Sequence, residues 1–210
     1  MICDLLLVRH GESEWNAVRR WQGQADPALT ARGEQQARDA VGRARALGPF
    51  EAVVTSTLAR AARTGDLLAV GLGVPDVRRE AGLIERHAGP WQGLTRDQID
   101  EGWPGYLVDD RRPDGYEDDA SVIDRAAPAL RAVASAFRGS SVLVVSHGGV
   151  INALERRTGE AWRRIDNLEG RWFQSDGTDL LPVGDRVHLR TDGRAPSVAA
   201  RTQPSDAHDR

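Results

Sequence analysis

The sequence predicts an α/β protein with a mostly parallel central sheet, and three observations carry that prediction. Two short apolar runs, residues 5–8 and 142–145, are non-alternating and rich in branched side chains, as in central strands covered on both faces. Helical patterns lie between the strand candidates, and this alternation indicates crossover units. A chain of 210 residues is also long enough for one sizeable core.

The other elements follow in order along the chain. Thr30 is suited to cap a helix that Gly48 and Pro49 end, with an apolar face that includes Ala37 and Val41. The full set of further predictions is strands at residues 52–55 and 76–78, and helices at residues 30–47, 58–72, 95–103 and 121–137.

One domain of residues 1–191 is predicted, because no repeat and no interdomain linker interrupts the pattern. Residues 102–119 are polar and broken by Pro and Gly, which favours a surface excursion. Residues 192–210 have the Pro, Ala, Ser and charge content of a flexible tail.

Composition excludes several classes of function. A formal net charge of -3 argues against general affinity for nucleic acid or acidic membranes. All 28 basic residues are arginine, so lysine nucleophiles and Schiff bases are excluded. Cys3 is the one cysteine, which excludes an intrachain disulfide and a cysteine metal site. No apolar run reaches the ~18 residues of a membrane span, and no signal peptide is recognised. A cytoplasmic protein is expected.

Both central strands run directly into a histidine followed by glycine. His10 and Gly11 follow Arg9 after the first strand, and His147 and Gly148 follow the second. Ligands of open parallel sheets bind beyond the carboxyl ends of the strands, so the two imidazoles are expected to meet there. Each glycine is expected to let the chain turn tightly into a helix whose N-terminal N–H groups face the same spot. With the planar fork of the arginine, these features predict a phosphate site.

These residues also resemble a known family. "LVRHGESEWN", "GQADPALTARGEQQA", "STLARAARTG", "LIERHAGPWQGLT" and "SHGGV" occur in the order typical of the histidine phosphatase superfamily, over about residues 3–155. The resemblance implies a three-layer α/β/α fold like that of phosphoglycerate mutases.

The resemblance also implies catalytic roles. His10 is expected to attack phosphorus and become phosphohistidine, and Glu85 to protonate the leaving oxygen and then deprotonate water. Arg9, Arg60 and His147 are expected to surround the phosphate oxygens. No cofactor and no metal is expected, because arginine and histidine supply the positive charge.

Further residues are assigned to substrate binding. Each of these residues lies in one of the motifs or directly beside one, or belongs to the arginine pair at residues 111 and 112. The set is Ser13, Asn16, Gln22, Gly23, Gly148, Arg111 and Arg112. The arginine pair is similar to the paired arginines with which mutases of the family bind a carboxylate. His87 is expected at the rim of the site, and His188 and His208 in structural or incidental positions.

The expected activity is hydrolysis of a small sugar, acid or sugar-acid phosphate. Only 61 residues separate Glu85 from His147, which leaves little chain for the lid that mutases use to exclude water. "WQGQAD" and "WQGLTRDQIDEGWPG" resemble the smaller phosphatases, notably those acting on glucosyl-3-phosphoglycerate. However, "DGYEDDAS" stands where many of those have Gly-Glu-Ser. A mutase, a non-catalytic phosphate-binding regulator and a metal-dependent hydrolase are the alternatives, and a homodimer is left open.

Overall fold

The computed structural model describes residues 1–190, so the predicted tail at 192–210 lies outside the described residues. One six-stranded sheet has the order β3-β2-β4-β1-β5-β6. Its strands are β1 Cys3–Arg9, β2 Ala52–Ser56, β3 Val77–Glu80, β4 Ser141–Ser146, β5 Glu169–Ser175 and β6 Leu180–His188. The pairs β1–β4, β2–β4 and β2–β3 are parallel, whereas β5 pairs antiparallel with β1 and with β6. The predicted mostly parallel sheet is confirmed.

Helices cover both faces of this sheet. They are α1 Glu14–Ala17, α2 Ala31–Asp39, α3 Val41–Leu47, α4 Ala59–Leu72, α5 Arg96–Gly102, α6 Asp119–Ala136 and α7 Gly148–Arg156, with 3-10 turns at Ala81–Leu83 and Gly89–Trp91. No helix within residues 1–190 has the length and apolar character needed to cross a membrane.

Strand β1 divides two hydrophobic cores. Side chains alternate along a strand, so Leu5 and Leu7 pack into the core under α6 and α7, whereas Leu6 and Val8 pack into the core under α3 and α4. All four leucine and valine side chains are fully buried. Burial on both faces explains why the run is continuously apolar, and it confirms the three-layer α/β/α arrangement.

The helix predicted over residues 30–47 is instead two helices, α2 and α3, which meet at Ala40. Thr30 caps α2 as predicted, by accepting from the Gly33 N–H. Neither Pro nor Gly marks the junction. Ala40 itself is buried in the core, and Val41 packs where a side chain on Gly71 of α4 would lie. Tertiary packing rather than local sequence sets this bend, which is why periodicity did not reveal it.

The segment 102–119 is more than a surface excursion. Trp103, Tyr106 and Tyr116 pack with buried Trp91 and Ile99 in a small third cluster. The Trp91 ring meets those of Trp103 and Tyr116 edge to face, at centroid distances of 6.3 and 5.6 Å. Most of the segment is exposed, as predicted for a surface excursion, but its few aromatic side chains anchor it to the cluster in a way that was not predicted.

Candidate active site

The carboxyl ends of neighbouring strands β1 and β4 carry the two histidines. Arg9 is in register with Ser146, and the His10 N–H donates to the Ser146 carbonyl over 3.0 Å. The ring centroids of His10 and His147 lie 5.1 Å apart. The connection after β1 leads to β2 and that after β4 leads to β5, on opposite sides, which forms a crevice at this edge. The structure therefore brings the two imidazoles together where the strand pattern places them.

Hydrogen bonds select one tautomer of His10. Its Nδ1 lies 2.6 Å from the Gly11 carbonyl oxygen, which can only accept, so Nδ1 carries the proton. Nε2 therefore holds the lone pair, which accepts from Arg60 Nε over 3.2 Å. Burial, and then the charges of Arg60 and Arg9, hold the pKa of His10 well below 6.5. This neutral imidazole is the nucleophilic form.

His147 is completely buried behind the first histidine. Its Nε2 lies 2.8 Å from Ser56 Oγ, whereas its buried Nδ1 has no hydrogen-bond partner among residues 1–190. Burial, followed by the charge of Arg60, holds the pKa of His147 well below 6.5. Ser56 Oγ also accepts from the Leu58 N–H, so its own proton can go to Nε2. In that arrangement Nδ1 of His147 carries the ring proton and has no acceptor among residues 1–190.

Arg60 lies in the first turn of α4 with its side chain fully buried. Nη1 donates to the Ala25 carbonyl over 2.7 Å, and Nη2 donates to the Gly23 carbonyl over 2.9 Å. Burial lowers the pKa of Arg60 to about 10, so it remains charged at neutral pH. Arg60 thus holds the turn that contains Gly23 and fixes a positive charge beside His10.

Arg9 is held by a segment that the sequence analysis did not single out. Its Nη1 donates to the Ile165 carbonyl over 2.7 Å, and its own carbonyl accepts from the Leu168 N–H over 2.9 Å. Burial lowers the pKa of Arg9, an effect opposed by the charge of Glu85. Ile165 also fills the space beside Gly148, where a Cβ would come within 2.8 Å of its side chain. Residues 165–168 form one wall of the site.

Asn16, Ser13 and Gln22 form a hydrogen-bonded group next to His10. Ser13 is buried and caps α1, and its hydroxyl accepts from the Asn16 N–H and donates to Gln22 Oε1. Nδ2 of Asn167 donates both to the His10 carbonyl and to Asn16 Oδ1, over 2.9 and 3.2 Å. The Ser13 hydroxyl thus positions Asn16 and Gln22, and its contact with substrate stays a prediction.

Glu85 follows the 3-10 turn Ala81–Leu83 in a stretch without regular structure. Its Oε1 accepts from the Arg86 N–H over 2.8 Å, and its Oε2 accepts from the Gly149 N–H over 3.2 Å. The carboxyl group therefore lies against the first turn of α7, directly after His147. A Cβ on residue 149 would come within 2.3 Å of Glu85 Oε1, so any larger residue there must displace the carboxyl group.

Gly11 serves packing rather than the expected turn into a helix. A Cβ at this position would lie 2.6 Å from the Gly33 carbonyl oxygen. The Gly11 N–H donates to Thr64 Oγ1 over 3.1 Å, and α1 begins only at Glu14. The prediction holds for His147, which immediately precedes α7, and is wrong for His10.

The structure distinguishes the two neighbouring arginines. Arg111 stacks on the Tyr106 ring at 4.2 Å and pairs with Asp109. Arg112 pairs with Asp110 over 2.7 Å and lies over the rings of Trp91 and Tyr116, at 5.7 and 5.4 Å from their centroids. Burial raises the pKa of Tyr116, the charge of Arg112 lowers it and the charge of Glu85 raises it. The guanidinium of Arg112 is therefore the one of the two that lies over the rings of Trp91 and Tyr116.

Two contributors were not singled out in the sequence. Asn167 lies outside the recognised motifs, and Ser56 begins the motif "STLARAARTG" but was given no role there. The hydrogen bonds that make both important join residues far apart in sequence. His87 accepts from the Gly89 N–H at Nδ1 and lies beside the Gly115 carbonyl. His188 ends β6 near Glu169. Within residues 1–190, no group of three or more His, Cys, Asp or Glu side chains is placed to hold a metal ion.

Comparison with known proteins places this geometry in context. The model of the histidine phosphatase superfamily (branch 1) matches residues 5–183. Among curated relatives, the probable phosphoglycerate mutase GpmB of Salmonella paratyphi C is 37% identical over 203 residues, covering 87% of this chain and 93% of that protein. Phosphoglycerate mutase-like protein 4 of Arabidopsis thaliana is 31% identical, covering 90% and 88%. A solved mycobacterial glucosyl-3-phosphoglycerate phosphatase, in complex with VO3, is 29% identical with a TM-score of 0.73, covering 86% of this chain and 96% of that one.

Proposed function

This chain belongs to the histidine phosphatase superfamily, and from that premise we propose that it is a metal-independent phosphomonoester hydrolase acting through a phosphohistidine. The observation that carries the proposal is the state of His10, which is buried, neutral and held with its Nε2 lone pair beside a fixed guanidinium. A structural histidine would not require a charged neighbour at its one remaining nitrogen.

The proposed reaction has two displacements. The Nε2 lone pair of His10 forms a bond to phosphorus as the bond from phosphorus to the leaving oxygen breaks, and Glu85 gives that oxygen a proton. Water then attacks the phosphohistidine and loses a proton to Glu85, the nitrogen–phosphorus bond breaks, and inorganic phosphate leaves. The enzyme returns to its starting state, so atoms and protons balance over the cycle.

Charge on the phosphoryl group would be neutralised by side chains already fixed in place. Arg9 and Arg60 each use part of their guanidinium to bind backbone carbonyls, which holds their positive charge at the strand ends. His147 offers Nδ1, and Asn16 offers the amide nitrogen at the end of its side chain. Groups that need not reorganise during the reaction are effective in stabilising a transition state.

The test is phosphate release from a panel of metabolite phosphate esters, measured with and without a chelator. We expect turnover that resists chelation, together with acid-labile phosphate trapped on histidine. Loss of turnover in chelator would support a metal-dependent hydrolase instead. No turnover of any phosphomonoester would support a phosphate-binding regulator.

A phosphoglycerate mutase is the second candidate, because two relatives carry that name. Hydrolysis is favoured because a mutase must exclude water from the phosphohistidine. Between Glu85 and His147, α5, α6 and β4 take up much of the chain, and aromatic side chains of residues 103–118 pack in the cluster around Trp91, which leaves little chain to cover the site. Assays on 3-phosphoglycerate with a bisphosphate primer should give more free phosphate than 2-phosphoglycerate. Interconversion with little phosphate release would reverse the choice.

The proposed substrate is a small sugar-acid phosphate, by similarity to the mycobacterial phosphatase. Arg112 is the proposed partner of its carboxylate, because it lies over the ring of Tyr116, whose pKa is raised by burial and also by the charge of Glu85. We expect Arg112→Ala to raise KM for esters that carry a carboxylate and not for neutral esters. Arg111→Ala is the matched control, since that side chain stacks on Tyr106 instead. A cytoplasmic location is proposed from the composition.

A further inference from the structure

Glu85 is carried by backbone that no helix or strand holds. The 3-10 turn Ala81–Leu83 ends just before it, and the next turn begins only at Gly89. Carbonyl groups in such a stretch need partners from outside the segment. Their partners determine where the Glu85 carboxyl group lies.

Arg125 of α6 supplies most of those partners. Its Nη1 donates to the carbonyls of Gly82 and Ile84, over 2.9 and 2.7 Å. Its Nη2 donates to the carbonyl of Glu85 itself over 3.1 Å. The segment also lies unusually close to α6, because a Cβ on Gly82 would come within 2.7 Å of the Arg125 carbonyl oxygen. One guanidinium thus binds three carbonyls of the four-residue stretch that ends at the acid.

Glu117 completes a clamp on the other side. Its carboxylate accepts from Arg125 Nε and Nη2, over 2.7 and 2.9 Å. Its Oε2 also accepts from the His87 N–H over 2.8 Å, and its own N–H donates to the His87 carbonyl. Although burial raises it, the pKa of Glu117 is held below its usual value by these hydrogen bonds from Arg125 and His87. The pair therefore forms hydrogen bonds with the main chain on both sides of Glu85.

The helix does not need this pair for its own anchorage. Val122, Ala126 and Leu130 of α6 are buried in the main core, and Asp118 caps its first turn. A salt bridge that only joined α6 to the surface would be directed at side chains. Here all four hydrogen bonds that the two side chains make beyond the pair itself go to the main chain of residues 82–87.

We propose that Arg125, together with Glu117, is a positioning residue that sets the Glu85 carboxyl group for proton transfer to the leaving oxygen. The proposal rests on the function proposed above, in which Glu85 is the general acid. Neither member of the pair touches the reacting atoms; both act through the backbone that bears the acid.

The test uses the dependence of turnover on the leaving group. The leaving group of glycerol phosphate is an alkoxide, which needs a proton. The leaving group of p-nitrophenyl phosphate is a stable phenolate, which does not. Arg125→Lys and Glu117→Gln should each reduce turnover of glycerol phosphate by about 10–10²-fold more than turnover of p-nitrophenyl phosphate, since small displacements of catalytic groups have effects of this size. Rates are measured in single-turnover experiments on folded protein, checked by thermal melting.

Arg186→Lys is the matched control. Arg186 is buried, pairs with Glu155 and donates to the carbonyls of Arg163 and Arg164, so it repeats the chemistry of Arg125 away from the acid. Its replacement should leave the ratio of the two rates unchanged, whatever it does to stability.

The outcomes separate the two proposals. If Glu85→Gln changes the ratio and neither Arg125→Lys nor Glu117→Gln does, the positioning role is wrong and the proposed function stands. If Glu85→Gln itself leaves the ratio unchanged, the acid assignment is wrong. Should Arg125→Lys fail to fold, Glu117→Gln decides alone, because the amide still accepts from the His87 N–H.

Discussion

The two sides of the site are built in different ways. On the phosphate side, His10 and His147 extend from strands β1 and β4, where ladder hydrogen bonds and complete burial fix the backbone. On the acid side, Glu85 lies in irregular chain and is held by side chains from α6 and by the first turn of α7. The sheet therefore positions the groups proposed to act on phosphorus, and a clamp positions the group proposed to act on the leaving oxygen.

This difference corresponds to the two parts of a substrate: the phosphoryl group, which all phosphate monoesters share, and the leaving group, which varies. Every phosphate monoester presents the same phosphoryl group, and the rigid strand ends suit an unchanging target. Leaving groups differ in size and in whether they need a proton. They would contact Glu85, the proposed acid, and the aromatic cluster around Trp91 and Tyr116. Substitutions on the phosphate side should reduce all turnover, whereas those on the acid side should discriminate among substrates.

The largest expected effect is that of His10→Ala. Loss of the nucleophile should reduce turnover of every ester at least about 10⁴-fold, as removal of catalytic nucleophiles does elsewhere, and should abolish trapping of phosphate on histidine. His188→Ala is the control, because that histidine is exposed on β6. Labelled phosphate on another residue of the His10→Ala protein would contradict the assignment.

Glu85→Gln should have the next largest effect, and a selective one. A general acid contributes about 10²–10⁴-fold, so turnover of alkyl phosphates should fall by that amount. The phosphorylation step with p-nitrophenyl phosphate should fall much less, because nitrophenolate departs without a proton. Single-turnover rates on both substrates measure the difference. An equal loss on both would remove Glu85 from the acid role.

The contrast between the two sides also explains how far sequence reasoning reached. Strand-end logic alone predicted that His10 and His147 meet, because β-structure places residues by simple rules of register and edge. Glu85 could be assigned only through family resemblance, since nothing in the local pattern of an irregular segment marks one acidic residue. Asn167 and Arg125 were missed for the same reason: their partners are backbone carbonyls far away in sequence.

"DGYEDDAS" illustrates the limit at a single segment. The absence of Gly-Glu-Ser there suggested a changed border to the substrate. In the structure, Glu117 of that segment turns away from solvent, binds Arg125 and receives the His87 N–H. The segment binds the main chain beside Glu85, and this contact depends on a partner in α6 that no local pattern contains.

Gly149→Ala probes the point where the two sides meet. The added methyl group would lie 2.3 Å from Glu85 Oε1 and must displace the carboxyl group, while the strand ends stay in place. We expect turnover of alkyl phosphates to fall about tenfold, less than on removal of the carboxyl group, with p-nitrophenyl phosphate less affected. Gly42→Ala in α3 is the control, because nothing lies within 4 Å of a Cβ there. Equal losses on both substrates would show damage to the phosphate side.

The smallest expected effects concern the pH dependence of the free energy of unfolding, which should differ between the two sides. The pKa of His10 and of His147 is held well below 6.5, chiefly by burial, so below about pH 6.5 the unfolded chain binds protons that the folded chain does not. The free energy of unfolding should therefore fall as pH drops through this range and should not change from this source above it.

Glu117 has a lowered pKa in the folded chain, so its stabilising contribution is present above about pH 4.5 and is lost only as pH falls further. Denaturant unfolding measured across both ranges gives the two slopes. His10→Gln with His147→Gln should flatten the upper slope and leave the lower one. Glu117→Gln should reduce the lower slope, to which other carboxyl groups with lowered pKa values also contribute, and leave the upper one. If the double histidine variant kept the upper slope, the protons would be binding elsewhere, and the buried imidazoles would not be the groups that distinguish the phosphate side from the acid side.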